Sequence, residues 1–251
     1  MIILKRLNYS KHLNIVSLLD YKLEDNEVWI LMDYLPKDLM TFFKENKDNK
    51  KIMNEKFFKN IAHQILCGLN VLHSQQIIHR DTKLENILYN EKTNLVKIRV
   101  SELSLIKDYN LENQYTDVGD YPFKSPEILL GLRIYTTASD IWFVGCLLVQ
   151  ICTMSLLFGA NDPSCVLKLI YDIFGGFDDL VGFKYFPNAN LISNLPKKEG
   201  KGLIKYIKEK KVLEFENDYF YDLIQKMLCL DPTKRFTAKE CLEHPWFHIC
   251  D

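Results

Sequence analysis

The chain has 251 residues, of which 47% are hydrophobic and 26% charged, and its formal net charge is −1. That balance supports a buried core and argues against disorder, and near-neutrality removes any whole-chain case for nucleic acid or an anionic membrane as partner. The seven cysteines (Cys67, Cys146, Cys152, Cys165, Cys229, Cys241 and Cys250) lack metal-ligand spacing and sit mostly among apolar residues, so a reduced intracellular protein, cytoplasmic or nuclear, is expected.

Met1-Ile2-Ile3-Leu4 meets charge at Lys5 and Arg6 with no small-residue cleavage site, so no signal peptide is expected. The longest apolar run, Ile141 to Cys152, is interrupted by Gln150 and too short to span a membrane. Residues 1–13 carry Ile2, Ile3, Leu4, Leu7 and Leu13 and predict the end of a helix entering a loop. Ile15–Leu19 and Val28–Met32 predict two buried strands of a hairpin that turns at Glu24-Asp25-Asn26. A short helix over 38–48 runs into the polar tract Lys44–Lys51. Phe58, Ile61, Ile65, Leu69 and Leu72 recur on one face and predict a long helix over 55–73. Short strands are predicted at 77–78, 87–89 and 95–99, and an exposed loop over 104–124. Helices follow at 126–130, 138–154, 164–174, 219–229 and 237–242, while 176–211, rich in Gly, Asn and Lys, reads as the least structured stretch. Strands confined to the first half and helices dominating the second predict an α+β layout. No internal repeat is present.

Between two of the short strands lies His79-Arg80-Asp81-Thr82-Lys83-Leu84-Glu85-Asn86. His-Arg-Asp, four residues, then Asn matches the catalytic loop of protein kinases. With SPEILLG at 125–131, SDIWFVGCLL at 139–148 and LDPTKRFTAKECLEHPWF at 230–247, the chain resembles the eukaryotic protein kinases along nearly its whole length, most closely the cyclin-dependent branch. The resemblance implies a protein kinase-like fold, with residues 1–35 a remnant of the N-terminal strand lobe and 36–251 a complete helical lobe, together one domain. It implies Asp81 as general base and Lys83 as the group that neutralises the transferred phosphate, the serine/threonine-type choice. Asn86 would be a metal ligand. Met32 matches the gatekeeper, and Asp33, Tyr34 and Leu35 the hinge whose backbone bonds adenine. Asp38 matches the ribose contact and Leu88 the floor of the adenine pocket. Glu127 and Arg235 match a buried ion pair that ties the substrate loop to the helical lobe, and Asp140 a brace for the catalytic loop. Thr116, or Tyr115 beside it, falls where such kinases are phosphorylated, with Arg80 as one basic partner; a plain polar surface pair is the alternative.

The departures from the family pattern bear on activity. Val100 stands where the metal-binding Asp of Asp-Phe-Gly is expected, and valine has no lone pair to offer. Glu102 and Asp108 are nearby carboxylates out of register. Met1 falls within the helix that would carry the glutamate of the Lys–Glu pair, and no glycine precedes Gly68, so no phosphate-cradling loop is expected upstream. Asp120, Pro122 and Lys124 replace a Thr, a Trp and an Arg of the substrate loop. The chain is therefore expected to be a kinase-fold protein with a truncated strand lobe, impaired or silent in catalysis and acting through a protein partner. The alternative is an active serine/threonine kinase, with ATP and magnesium as cofactors and a protein substrate; a silent chain needs neither cofactor. Cyclin binding is doubtful, because most of the helix that cyclins grip is missing. The missing strands would leave apolar edges exposed on the remaining hairpin. The basic tract Lys197–Lys211 reads as a docking surface for an acidic partner or as an ordinary solvated face.

Overall fold

The computed structural model describes residues 3, 7, 11–25, 27–47, 49, 54–100, 104–106, 118–177, 180, 182–193, 195, 199–213 and 216–248. Strands β1 (Leu18–Glu24) and β2 (Glu27–Met32) form an antiparallel hairpin with Tyr21 opposite Ile30 and Leu23 opposite Val28. The expected burial holds at Ile15, Val16 and Leu18 and is overturned over the rest of the hairpin. Beyond Leu18 all of β1 is exposed, and so is β2 as far as Leu31. Leu23, Trp29 and Leu31 are 67%, 60% and 58% exposed. Among the described residues the sheet has only these two strands.

β3 (Lys37–Asp38) leads into α1 (Leu39–Asn46), and Asp38 caps that helix by accepting from Thr41 N at 2.8 Å. α2 (Glu55–Ser74) starts at Asn54, whose side chain accepts from Phe57 N, and buries the predicted face of Phe58, Ile61, Ile65, Leu69 and Leu72. β4 (Ile77–Ile78), β5 (Ile87–Asn90) and β6 (Leu95–Ile98) follow close to the predicted positions. β5 lies between β3 and β6 in an antiparallel sheet, and β4 pairs with β7 (Leu105–Ile106). The expectation of an exposed loop over 104–124 is thus corrected in two places. β7 is paired, and Phe123 and Lys124 are buried where the chain enters α3 (Pro126–Leu129).

α4 (Thr137–Thr153) is buried along almost its whole length and forms the centre of the helical part. α5 (Pro163–Phe174) is capped by Asp162 and ended by Gly175 at φ +83°. The stretch 176–211 is more ordered than its composition suggests. It holds α6 (Asn190–Ser193) and α7 (Leu203–Lys210), and α7 forms because Leu203 and Ile207, four apart, bury one face of a lysine-rich segment. α8 (Asp218–Met227), α9 (Ala238–Leu242) and α10 (Pro245–His248) close the chain against α2. Phe58, Phe220 and Trp246 meet with ring centroids 5.2–5.7 Å apart, each pair worth about 0.5–1.5 kcal/mol beyond simple burial. Among the described residues no helix is long and apolar enough to cross a membrane.

Candidate active site

The loop between β4 and β5 is held from below by Asp140 of α4, which is fully buried. Its Oδ2 accepts from His79 N at 2.8 Å and from His73 Nε2 at 2.9 Å, and its Oδ1 accepts from Arg80 N at 2.9 Å. A buried carboxylate needs such partners, and here they turn the loop over the helix. Arg80 adopts the left-handed conformation, at φ +63°. Such strain in a non-glycine residue survives only where the surroundings impose it. Gly119, at φ +81°, completes the fit, because a Cβ there would lie 2.8 Å from the Arg80 carbonyl oxygen.

His79 is buried and held neutral: burial lowers its pKa against the opposing pull of Asp140 and of the Arg99 carbonyl. Nδ1 accepts from Asp81 N at 3.3 Å, so the proton sits on Nε2, which donates to Arg99 O at 3.0 Å. Asp81 accepts from Asn86 Nδ2 at its Oδ2 (2.6 Å) and at its backbone oxygen (2.8 Å). Lys83 Nζ lies 3.4 Å from Asp81 Oδ1 and donates to Asp120 Oδ2 at 3.0 Å. Burial works against the charge on Lys83, but the Asp120 hydrogen bond and the Asp81 charge outweigh it and raise its pKa. The structure thus brings Asp81, Lys83, Asn86 and Asp120 together.

The metal position is another matter. Val100 is 5% exposed and packs into the hydrophobic core. Asn86 Oδ1, the atom a divalent ion would take, accepts instead from Arg99 Nη2 at 2.6 Å. With Nδ2 on Asp81, every polar atom of the Asn86 side chain is engaged. Among the described residues no cluster of His, Cys, Asp or Glu could hold a metal; Glu102 and Asp108 lie outside them. The described residues do not fit a hard divalent cation, which needs oxygen ligands. Arg99 was missed by sequence reasoning. The available signal was period two: Val96, Ile98 and Val100 face inward, which puts Lys97 and Arg99 on the other face.

The hinge positions surround the same sheet. Asp33 N donates to Ser17 O at 3.1 Å, and the Asp33 carboxylate accepts from Ser17 N at 3.0 Å and pairs with Lys97. Burial pushes the Asp33 pKa up, but the Lys97 and Ser17 hydrogen bonds outweigh it and leave it lowered. Asp38 stands opposite Leu88, and Leu88 opposite Lys97, across β3, β5 and β6. Both Asp38 oxygens already serve Thr41, through its N at 2.8 Å and its Oγ1 at 3.1 Å, so a ribose would compete with the helix cap. Leu35 is buried, Met32 and Leu88 are half-buried, and Tyr34 is exposed. Glu127 and Arg235 form a buried bidentate pair, Nη1 to Oε1 at 2.9 Å and Nη2 to Oε2 at 3.0 Å. Lys208 and Lys211 of the basic tract pair with Glu216. Tyr115, Thr116, Lys197 and Lys198 lie outside the described residues.

Comparison with known proteins agrees with this architecture. The protein kinase domain family matches residues 1–247. A probable cyclin-dependent serine/threonine-protein kinase of Dictyostelium discoideum is 33% identical over 243 residues, covering 93% of this chain and 16% of that protein. Probable cyclin-dependent kinases 8 and 10 of the same organism are 32% and 29% identical over 252 and 244 residues, covering 93% and 95% of this chain. The chain spans 65% and 63% of their lengths. With a braced His-Arg-Asp loop, a central buried helix, a buried Glu–Arg tether and a match of this extent, the chain belongs to the protein kinase domain family, among relatives that are cyclin-dependent serine/threonine kinases.

Proposed function

We propose that this kinase domain does not transfer phosphate and acts by binding a protein partner. One observation carries the reading: a buried valine, Val100, stands at the position from which a carboxylate would hold the catalytic metal. Phosphoryl transfer depends on positioning and on cations that neutralise the γ-phosphate, with little covalent chemistry for the protein to do. A clamp of that kind supplies several kcal/mol, and losing about 3 kcal/mol slows a reaction roughly a hundredfold. Asp81 could still accept a hydroxyl proton and Lys83 bind phosphate, but with valine at position 100 there is little among the described residues to hold a metal that orients the transferring group. The free thiols Cys146, Cys152 and Cys241 are buried, which suits a reducing compartment, cytoplasm or nucleus.

The arrangement of Asp81, Lys83 and Asn86 favours a second reading, an active serine/threonine kinase using ATP and magnesium with Asp81 as base. Transfer of labelled γ-phosphate to a generic basic protein substrate separates the two. The non-catalytic reading expects the native chain and Asp81→Asn to be equal and at background. Turnover that Asp81→Asn abolishes would replace it with the second reading.

A further inference from the structure

Arg99 is a half-buried cation with no carboxylate at ion-pair distance among the described residues. Its position is tightly determined. The backbone N donates to Asn86 O at 2.8 Å, the carbonyl accepts from His79 Nε2 at 3.0 Å, and Nη2 donates to Asn86 Oδ1 at 2.6 Å. Nη2 also lies 3.5 Å from Glu85 O, while Nη1 and Nε have no partner among the described residues. Lys83 is shared between two carboxylates, Asp81 and Asp120, at 3.4 and 3.0 Å, so in this arrangement it is not itself open to a further anion. A guanidinium already seated on the Asn86 oxygen through Nη2, with Nη1 and Nε unpartnered among the described residues, can turn its remaining donors to an anion.

We propose that Arg99 replaces the divalent ion at this site, so that the cleft binds the phosphates of a nucleoside triphosphate with no metal. This rests on the reading that the metal ligand is lost at Val100, and deepens it by naming the ligand and the condition under which it binds. Magnesium then acts as a competitor. It neutralises the triphosphate in solution and leaves less charge for Arg99 to meet, and it finds no open oxygen on Asn86.

Calorimetric titration of the full chain with ATP, once in EDTA and once in excess magnesium chloride, tests this. Binding in EDTA is expected, several-fold tighter than with magnesium, and AMP binds more weakly than ATP. Arg99→Gln keeps an amide that can donate to Asn86 Oδ1 but removes the charge, and is expected to weaken ATP about ten- to a hundredfold and to erase the magnesium effect. Arg99→Lys, which keeps the charge and loses the fork, falls between the two. The melting temperatures of both unliganded variants should match the native chain, which separates loss of ligand from loss of fold. Magnesium-strengthened binding, no ATP binding in either buffer, or an Arg99→Gln affinity equal to the native one would each overturn the proposal. Absent ATP binding or an unaffected Arg99→Gln variant removes this site and leaves a silent kinase domain standing; magnesium-strengthened binding counts against the lost metal ligand as well, and the transfer assay then decides that reading.

Discussion

Glu127→Ala is expected to be severely destabilising, and the structure says by how much. Arg235 is buried, donates two hydrogen bonds to the Glu127 carboxylate, and donates others to the carbonyls of Ala138 (2.8 Å) and Cys229 (2.9 Å). Removing the carboxylate leaves a guanidinium with carbonyl partners but no countercharge, in a place water does not reach. Breaking one side of a buried pair costs about 3–5 kcal/mol. Total stabilities are about 5–15 kcal/mol, so a large share would be lost. For a chain of this size each kcal/mol moves the melting temperature by about 2–4 °C, which gives a fall of about 6–20 °C by circular dichroism. Because the pair is buried, 0.5 M salt should change the loss little. The double variant Glu127→Met/Arg235→Leu removes both charges and should recover most of the stability. A single variant melting within 2 °C of the native chain, or a double variant no better than the single, would refute the claim that the uncompensated charge is what destabilises.

The two tryptophans at opposite extremes of burial make a second test. Trp246, fully buried, should lose about 3–5 kcal/mol on mutation to Ala, whereas Trp29→Ser should change urea stability by under about 0.5 kcal/mol while reducing self-association by light scattering; equal losses would contradict the described packing. Asp140→Ala orphans the buried amides of His79 and Arg80, at about 1–3 kcal/mol each, and those two amides should exchange with deuterium much faster than in the native chain; unchanged protection would mean that the loop is held by something else. Stability should fall as pH drops below about 6.5, because the unfolded chain binds a proton that buried His79 refuses, and stability therefore rises with pH through that window. His12 and His63, both lowered chiefly by burial, add to the slope. His79→Gln should remove most of the difference in urea stability between pH 7 and pH 5, and an undiminished slope in that variant would count against His79 as its source.

Each of these tests leans on contacts that differ in how visible they were beforehand. The long helices were legible from period and caps. Phe58 to Leu72 recur every three or four residues, and Asn54 supplies the cap that starts the run. The His79–Asn86 loop was legible because its residue types and spacing are rigidly required by the chemistry it can perform. The hairpin was misjudged, since apolar alternation says which residues could be covered and nothing about whether another element arrives to cover them. Helix α7 was missed because Gly and Lys dominate its surroundings, and only the burial of Leu203 and Ile207 against the helical part offsets the poor local signal.

The sequence by itself determined the fold class, the position of the His-Arg-Asp loop and the presence of a valine at position 100, because each is a matter of local residue type and spacing. Tertiary structure alone decided which side chains meet around that loop. Arg99 reaches Asn86 because β5 and β6 pair in register, Lys83 meets Asp120 from 37 positions away, and Asp140 meets His79 from 61. Those contacts follow from how strands and helices pack, and local periodicity carries no information about which distant side chains then come within a hydrogen bond of one another.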